Sequence, residues 1–461
     1  MSTAEKFDAI VIGAGQAGTP LSRALADAGM RTVLVERTHV GGTCVNEGCT
    51  PTKTMVASAR VAYLARRGAN YGVQTGPIQI DLKRVRQRKR EIVNSFRGGS
   101  QKRLEQAPNL ELIFGNASFS ERKSVVVRAN DGSEREMAAE KIFINAGTRA
   151  SRPKLDGLDQ VPFLDNVSIM ELDSVPEHLL VLGGGYIGLE FGQMFRRFGS
   201  RVTIVHSRAQ LMAREDADVA DEVAKILRED GIEILLSAKA ERVAPSSGKV
   251  QMGVTCAGQL RMLQGTHLLV ATGRVPNSDT LNLAAAGIGT DARGFIQTNN
   301  RLETNVEGVY ALGDIKGGPA FTHISYDDFR VIRANVIEKK NVTIDGRLVP
   351  YTMFIDPQLG HVGMHEFEAQ QAGRMVLVAK MPMSHVARAL EVDESRGFMK
   401  AIVDAKTDEI LGATVLGVEG GELMAVLEMA MMGKVSCKAL REGIFAHPTL
   451  AESLNNLFAA L

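Results

Sequence analysis

The sequence predicts an α/β protein in which one doubly wound sheet motif is built twice, followed by a C-terminal α+β domain. Three observations predict it. Two segments, FDAIVIGAGQAG and HLLVLGGGYIGLEFG, read as strand, glycine turn and helix, and they open at Gly13 and Gly183, too far apart for one βαβ unit. From about Val349 the chain changes to alternating strand and helix with no further turn of this kind. At 461 residues it is long enough for several cores.

The first motif begins with Ala9–Ile12, apolar throughout, as in a parallel strand covered on both faces. Gly13, Gly15 and Gly18 follow as G-x-G-x-x-G. The first glycine makes the turn, the second lets a pyrophosphate approach the backbone, and the third lets helix pack on strand. A helix is expected from about Gln16 to Ala28, with Pro20 near its N-terminal turns, where proline is tolerated best. The next strand, RTVLVE, ends at Glu36, whose carboxylate would accept from ribose hydroxyls.

The second motif repeats this with Leu179–Leu182, then Gly183, Gly185 and Gly188, then the strand Arg201–Val205. Its ending differs. VTIVHSR puts His206 where the first motif has Glu36, with Arg208 and Arg214 following. Such cations suit a 2′-phosphate, which favours NADPH over NADH. Two such folds suggest two cofactors with electrons passing between them. KIFINAGTRAS (141–151) and HLLVATGRVPN (267–277) each read as strand then glycine turn, and mark crossings between domains. In GVYALGDIKGG (308–318), Asp314 follows a strand and could reach a ribityl chain or a sugar. The expected division is a first domain of 1–150 with 275–345, a second of 151–274 and a third of 346–461.

Composition bounds the rest. The chain is 44% hydrophobic and 23% charged with a formal net charge of +1, so no global field points to nucleic acid or a membrane surface. No apolar run is long enough to span a bilayer, and MSTAEKFDAIVIGAG lacks the basic region and apolar core of a signal peptide, so the expected location is the cytoplasm. DLKRVRQRKREIVNSFRGGSQKR is densely basic, but Leu82, Val85, Ile92, Val93 and Phe96 could bury one helical stripe while the charges face water. His361 and His365 lie in LGHVGMHE, read as strand and turn, where the rings need not converge on a metal. The methionines of GGELMAVLEMAMMGK are read as filling a dimer core.

Two of the four cysteines stand close together in GGTCVNEGC. In a reducing compartment such a pair is more often catalytic or metal-binding than structural. A zinc site would need two more ligands at matching spacing, and Cys256 and Cys437 stand alone. In a regular helix Cys44 and Cys49 would have Cα atoms roughly 8–9 Å apart, beyond the reach of a disulfide at about 4.4–6.8 Å. The segment must therefore break the helix if the pair closes, and Gly41, Gly42 and Gly48 supply the freedom. PTKTMVASARVAYLARR reads as the helix that follows, and thiols near its N-terminus would be better nucleophiles than average.

GAGQAG, GGTCVNEGCTPTK, GGGYIGLE, ATGRVPN, ALGD and HPTLAE stand in an order that resembles, end to end, the FAD-dependent pyridine nucleotide–disulfide oxidoreductases, in particular the mercuric-reductase-like branch. The resemblance implies two Rossmann-like domains, for FAD and NAD(P)H, and a C-terminal dimerisation domain. It implies that Cys44–Cys49 is a redox-active disulfide. Cys49 would be the sulfur beside the flavin, forming the charge-transfer thiolate and transient adduct, and Cys44 the thiol that attacks an outside acceptor. Lys53 would stand near flavin N5, with Glu190 as its ion-pair partner, and Tyr186 would be the gate displaced by nicotinamide. His447, oriented by Glu452, would serve as acid–base, contributed by the other subunit of a homodimer. Gly13, Gly15, Gly18, Glu36, Gly42, Thr43, Lys53, Gly147 and Asp314 would bind FAD. Gly183, Gly185, Gly188, His206, Arg208 and Gly273 would bind NAD(P). The acceptor would be a small-molecule disulfide or a soft metal ion, with no resident metal, nucleic acid or membrane partner. The chain ends LFAAL without the vicinal cysteines of mercuric reductases, which weighs against Hg(II). The alternative is a dihydrolipoamide dehydrogenase-type component acting mainly within a multienzyme complex.

Overall fold

A computed structural model describes residues 4–461. The chain divides into two compact units, one of residues 1–54, 84–151 and 273–347, the other of 55–83, 152–272 and 348–461. Residues 55–83 thus cluster with the second unit, although the sequence assigned them to the first domain.

The first unit is built on the strand Glu5–Ile12, which pairs in parallel with Thr32–Glu36 on one side and Glu134–Ile144 on the other. Leu110–Glu121 extends the sheet beyond Thr32–Glu36, and Val309–Ala311 extends it beyond Glu134–Ile144. All these pairings are parallel, and the central residues Ala9, Ile10 and Val11 have no exposure at all. That is the continuous apolar run expected of a strand covered on both faces. Leu110–Glu121 and Glu134–Ile144 outrun the parallel sheet and join Ser124–Ala129 in an antiparallel extension. The helix after the glycine turn runs Gly18–Asp27 and packs Leu21 and Leu25 onto the sheet.

The second unit repeats the design. His178–Leu182 lies between His267–Val270 and Arg201–Val205, with Glu233–Leu235 outside, all parallel. The helix Tyr186–Phe198 follows its glycine turn, and Ala238–Ser246, Lys249–Cys256 and Gln259–Gly265 form an antiparallel sheet. The C-terminal part is a five-stranded antiparallel sheet in the order Tyr351–Met353, Gln358–Gly363, Ile410–Gly417, Phe398–Asp404, Val376–Pro382. Helix Gly420–Met432 contributes Leu423, Met424 and Leu427 to its core.

The basic segment forms the helix Leu82–Glu105. Leu82 and Val93 are buried as expected, but Phe96 is 54% exposed, and the buried face of the helix continues instead to Leu104. No helix of the described residues is long and apolar enough to cross a membrane.

Candidate active site

In the first unit, backbone contacts shape the glycine loop. A Cβ on Gly18 would meet the carbonyl oxygen of Gly13 at 1.9 Å, so only glycine lets this helix start so close to the strand. Asn145 fixes the loop from the neighbouring strand. Its Oδ1 accepts from Gly18 N–H at 3.0 Å, and its Nδ2 donates to Leu312 O at 2.9 Å. Glu36 ends its strand 9% exposed, accepting from Ala14 N–H at 2.8 Å on one oxygen and from Thr38 N–H at 2.9 Å on the other. The carboxylate thus organises the loop it was expected to serve, and its remaining lone pairs suit hydroxyl donors. Gly41 N–H bonds Ala14 O at 2.8 Å, which brings the short helix Gly42–Asn46, carrying Thr43 and Cys44, to the same loop.

Asp314 accepts from Thr148 Oγ1 at 3.0 Å, one residue after Gly147, and Arg274 donates to the same hydroxyl at 2.8 Å. Burial pulls the Arg274 guanidinium below its ordinary range, against the pull of Asp314 and Glu47. Asp328, wholly buried, holds the turn before Asp314 by accepting from Gly313 N–H at 2.8 Å and from Arg347 at 2.7 Å. Sequence reasoning missed Asn145, Arg274 and Asp328, because each acts on a loop distant in sequence. Gly273, expected beside the second nucleotide, belongs to the first unit, where Ser151 N–H bonds its carbonyl at 2.9 Å.

Glu47 and Gly48 interrupt the chain between the helix of Cys44 and the helix Cys49–Arg66, the break the cysteine spacing demanded. Cys49 is exposed and Cys44 half-buried. They interact directly. A hydrogen bond with Cys49, then burial, then charge coupling to Cys49 push the Cys44 thiol well above the usual thiol range. Thr322 and Lys53 pull in the opposite direction. Thr322 Oγ1 also lies 3.3 Å from Cys49 Sγ. This corrects the expectation that both thiols are activated. Two thiols in contact cannot both ionise cheaply, so the second proton is held on Cys44.

In the second unit the glycine turn recurs with one difference. A Cβ on Gly188 would meet Gly183 O at 2.2 Å, whereas one on Gly185, at the start of helix Tyr186–Phe198, would meet nothing within 4 Å. That is the open approach a pyrophosphate needs at a helix N-terminus. His206 takes the place of Glu36 in bonding as well as in sequence. Its Nδ1 accepts from Gly184 N–H at 3.1 Å, as Glu36 does from Ala14. Burial draws the imidazole below its ordinary pKa, and its Nε2 has no partner. The neutral ring therefore keeps its N–H on that buried nitrogen, with Arg208 and Arg214 exposed on the following loop.

Tyr186 donates to Glu215 Oε1 at 2.5 Å, and burial followed by the Glu215 charge pushes its phenol far up. Glu190 is buried and accepts from Phe354 N–H at 2.7 Å. His447 is 69% exposed and its Nδ1 lies 2.9 Å from Glu452 Oε2, the arrangement of a base and its orienting carboxylate. His361 and His365 do come together, their rings stacked with centroids 3.8 Å apart.

A family model described as pyridine nucleotide-disulphide oxidoreductase matches residues 7–328, and its dimerisation-domain counterpart matches 349–458. The chain is 39% identical over 458 residues to a probable pyridine nucleotide-disulfide oxidoreductase, RclA, of Escherichia coli, covering 98% of this chain and 99% of that one. A mercuric reductase of Lysinibacillus sphaericus is 32% identical over 450 residues, covering 98% of this chain and 82% of the relative. Among solved structures, the Cu(II) complex of the HOCl-induced flavoprotein disulfide reductase RclA from Escherichia coli superposes with a TM-score of 0.90 at 37% identity, covering 99% of both chains.

Proposed function

Because the chain belongs to the pyridine nucleotide-disulphide oxidoreductase family, and so is a flavoprotein disulfide reductase using FAD and NAD(P)H, we propose that it draws electrons from NADPH and delivers them through Cys44 and Cys49 to a thiophilic metal ion or a small disulfide. The observation that carries this reading is the pair of interacting thiols at the start of a helix, beside a glycine loop, a lysine and Thr322. Bound FAD would supply the two-electron chemistry that links the nicotinamide to the cysteine disulfide.

This chain's own residues do the rest. The glycine loop at Gly13, Gly15 and Gly18, with Glu36 and Asn145 behind it, would hold the FAD pyrophosphate and ribose, and Thr148 and Asp314 would serve its sugar chain. Gly185 would admit the NADPH pyrophosphate, while Arg208 would read the 2′-phosphate beside His206, which holds the turn through Gly184 N–H. Lys53 would steady negative charge at the reacting centre. Cys49 would carry the thiolate, bonded by the Cys44 thiol and Thr322. Cys44 would keep the proton until an acceptor arrives, and His447 would exchange it. The Cu(II) complex reported for RclA makes a copper ion a fitting acceptor to try first.

Anaerobic titration of the holoenzyme tests this. NADPH, more readily than NADH, should bleach the flavin bands and raise a long-wavelength charge-transfer band that Cys49→Ser abolishes. Turnover with Cu(II), Hg(II), glutathione disulfide, lipoamide, quinones and oxygen then names the acceptor. A spectrum unchanged by Cys49→Ser sinks the dithiol route. Preference for lipoamide alone would move the protein to the dihydrolipoamide dehydrogenase branch.

A further inference from the structure

The second unit buries a carboxylate that the proposed electron path does not use. Glu215 is 3% exposed, and a single oxygen, Oε1, accepts from Tyr186 at 2.5 Å and from Tyr351 at 2.7 Å. The two phenol rings stack at 5.7 Å, and the Tyr351 hydroxyl lies 3.3 Å from His365 Nε2. Donor atoms of Glu215, His361 and His365 lie within 4.8 Å of one another, but this is not the geometry of a metal cage. The imidazole planes are 10° from parallel, so their in-plane lone pairs run side by side rather than converge. Both His361 nitrogens are also engaged, by Thr414 at 2.8 Å and Gly363 O at 3.1 Å.

What the cluster does hold is Tyr186. The carboxylate is not free to follow that residue if it moves. Asp216, the next residue, accepts from the backbone N–H groups of Glu366 and Phe367 at 3.2 Å and binds the buried ammonium of Lys400 at 3.0 Å. Lys400 in turn pairs with Asp218 and Glu366. Glu215 therefore sits on a pinned loop, and a Tyr186 that swings away must leave its hydroxyl bond behind.

We propose that Glu215 is the latch of Tyr186: a positioning residue that holds this tyrosine in its resting place, so that nicotinamide binding must break the Tyr186–Glu215 hydrogen bond. The proposal rests on reading Tyr186 as the gate that the nicotinamide displaces. A latch makes the binding-competent state a minority, and apparent affinity falls by that fraction. Tyr351 keeps the same carboxylate oxygen bonded when Tyr186 leaves, which limits the cost of opening and lets the gate reset.

The test uses the FAD-loaded protein with Tyr186→Phe, which keeps the ring and removes the hydroxyl, Glu215→Gln, the double variant, and Tyr186→Ala. The readouts are the calorimetric Kd for NADP⁺, which involves no turnover, and KM against kcat for NADPH. Tyr186→Phe and Glu215→Gln should each tighten NADP⁺ and lower the NADPH KM by about three- to tenfold, the scale of the net contribution of an ordinary hydrogen bond. The double variant should gain no more than Tyr186→Phe alone, since Glu215→Gln weakens the same interaction that Tyr186→Phe removes. Unchanged or weaker binding in either single variant, or additive gains in the double, overturns the latch. If Tyr186→Ala itself leaves NADP⁺ affinity and KM unchanged, it is the gate reading that falls. Should Glu215→Gln fold poorly, Tyr186→Phe, short by one hydroxyl, decides alone.

Discussion

At the scale of single residues, the site turns on how two neighbouring sulfurs share protons. The hydrogen bond that the Cys44 thiol makes to Cys49 is the largest influence raising it, with burial second and charge coupling to Cys49 third. Replacing Cys49 by serine removes the sulfur responsible for the first and third. In the reduced Cys49→Ser protein, Cys44 should therefore titrate at lower pH than in the reduced parent. Alkylation rate against pH, followed by mass spectrometry at Cys44, measures this. A midpoint in Cys49→Ser equal to or above the parent's contradicts the coupling. The same residues mark the limit of what the sequence discloses. The cysteine pair, its glycines and the helix after it were legible because they are contiguous. Thr322 was not, since it reaches Cys49 across 273 residues of chain and has no motif of its own. Glu36 and His206 were legible as a matched pair by position, but their shared duty of holding the glycine-loop backbone came only with the folded strand ends.

At the scale of elements, the second unit is tied by buried charge as well as by apolar packing. Helix Tyr186–Phe198 delivers Arg197, 5% exposed, to Asp356, and helix Cys49–Arg66 delivers Arg60 to the same carboxylate at 2.5 Å. Arg197 also lies 3.8 Å over the ring of Tyr63, and Gln193 bonds both the N–H and the carbonyl of Asp356. Burial by itself would push the Asp356 carboxyl up, but Arg197 and Arg60 outweigh it and hold the carboxyl below its usual range. A carboxylate more acidic when folded than when unfolded stabilises fully above its unfolded pKa of about 3.9 and loses that contribution as pH falls through the folded value. Asp356→Asn leaves two guanidiniums facing a neutral amide and should cost about 3–5 kcal/mol at pH 7, the scale for breaking a buried pair. Scanning calorimetry of parent and variant should show the gap narrowing below about pH 4. A gap that stays constant down to pH 2 would assign the loss to packing instead of charge. Strands and helices here were readable from periodicity and glycine turns. This network was not, because arginine and aspartate on amphipathic elements look like surface residues until their partners are known.

At the scale of the whole molecule, the C-terminal surface calls for a partner. Met429 and Met432 are 64% and 63% exposed on helix Gly420–Met432, and Ile444 is fully exposed three residues before His447. Such apolar exposure within a segment matched by a dimerisation-domain model is what a second copy would cover. In a two-fold dimer each contact of the interface occurs twice, so two equivalent sites would form, each joining the cysteines of one subunit to the His447–Glu452 pair of the other. Mixing two inactive chains tests this arrangement. On the proposed roles, Cys44→Ser homodimers would lack the attacking thiol, and His447→Gln homodimers would lack the acid–base. A heterodimer of the two would contain one site with both defects and one with neither. Equal amounts, dissociated and reassociated at random, give about half heterodimers, and so should recover about a quarter of the parent's rate with a disulfide or metal acceptor. If thiol and histidine instead act within one subunit, every site in the mixture carries a defect and the activity stays at the level of the unmixed variants. The NADPH-driven bleaching of flavin, which needs neither side chain, should proceed in both homodimers and in the mixture, and so separates a failed site from a failed refolding.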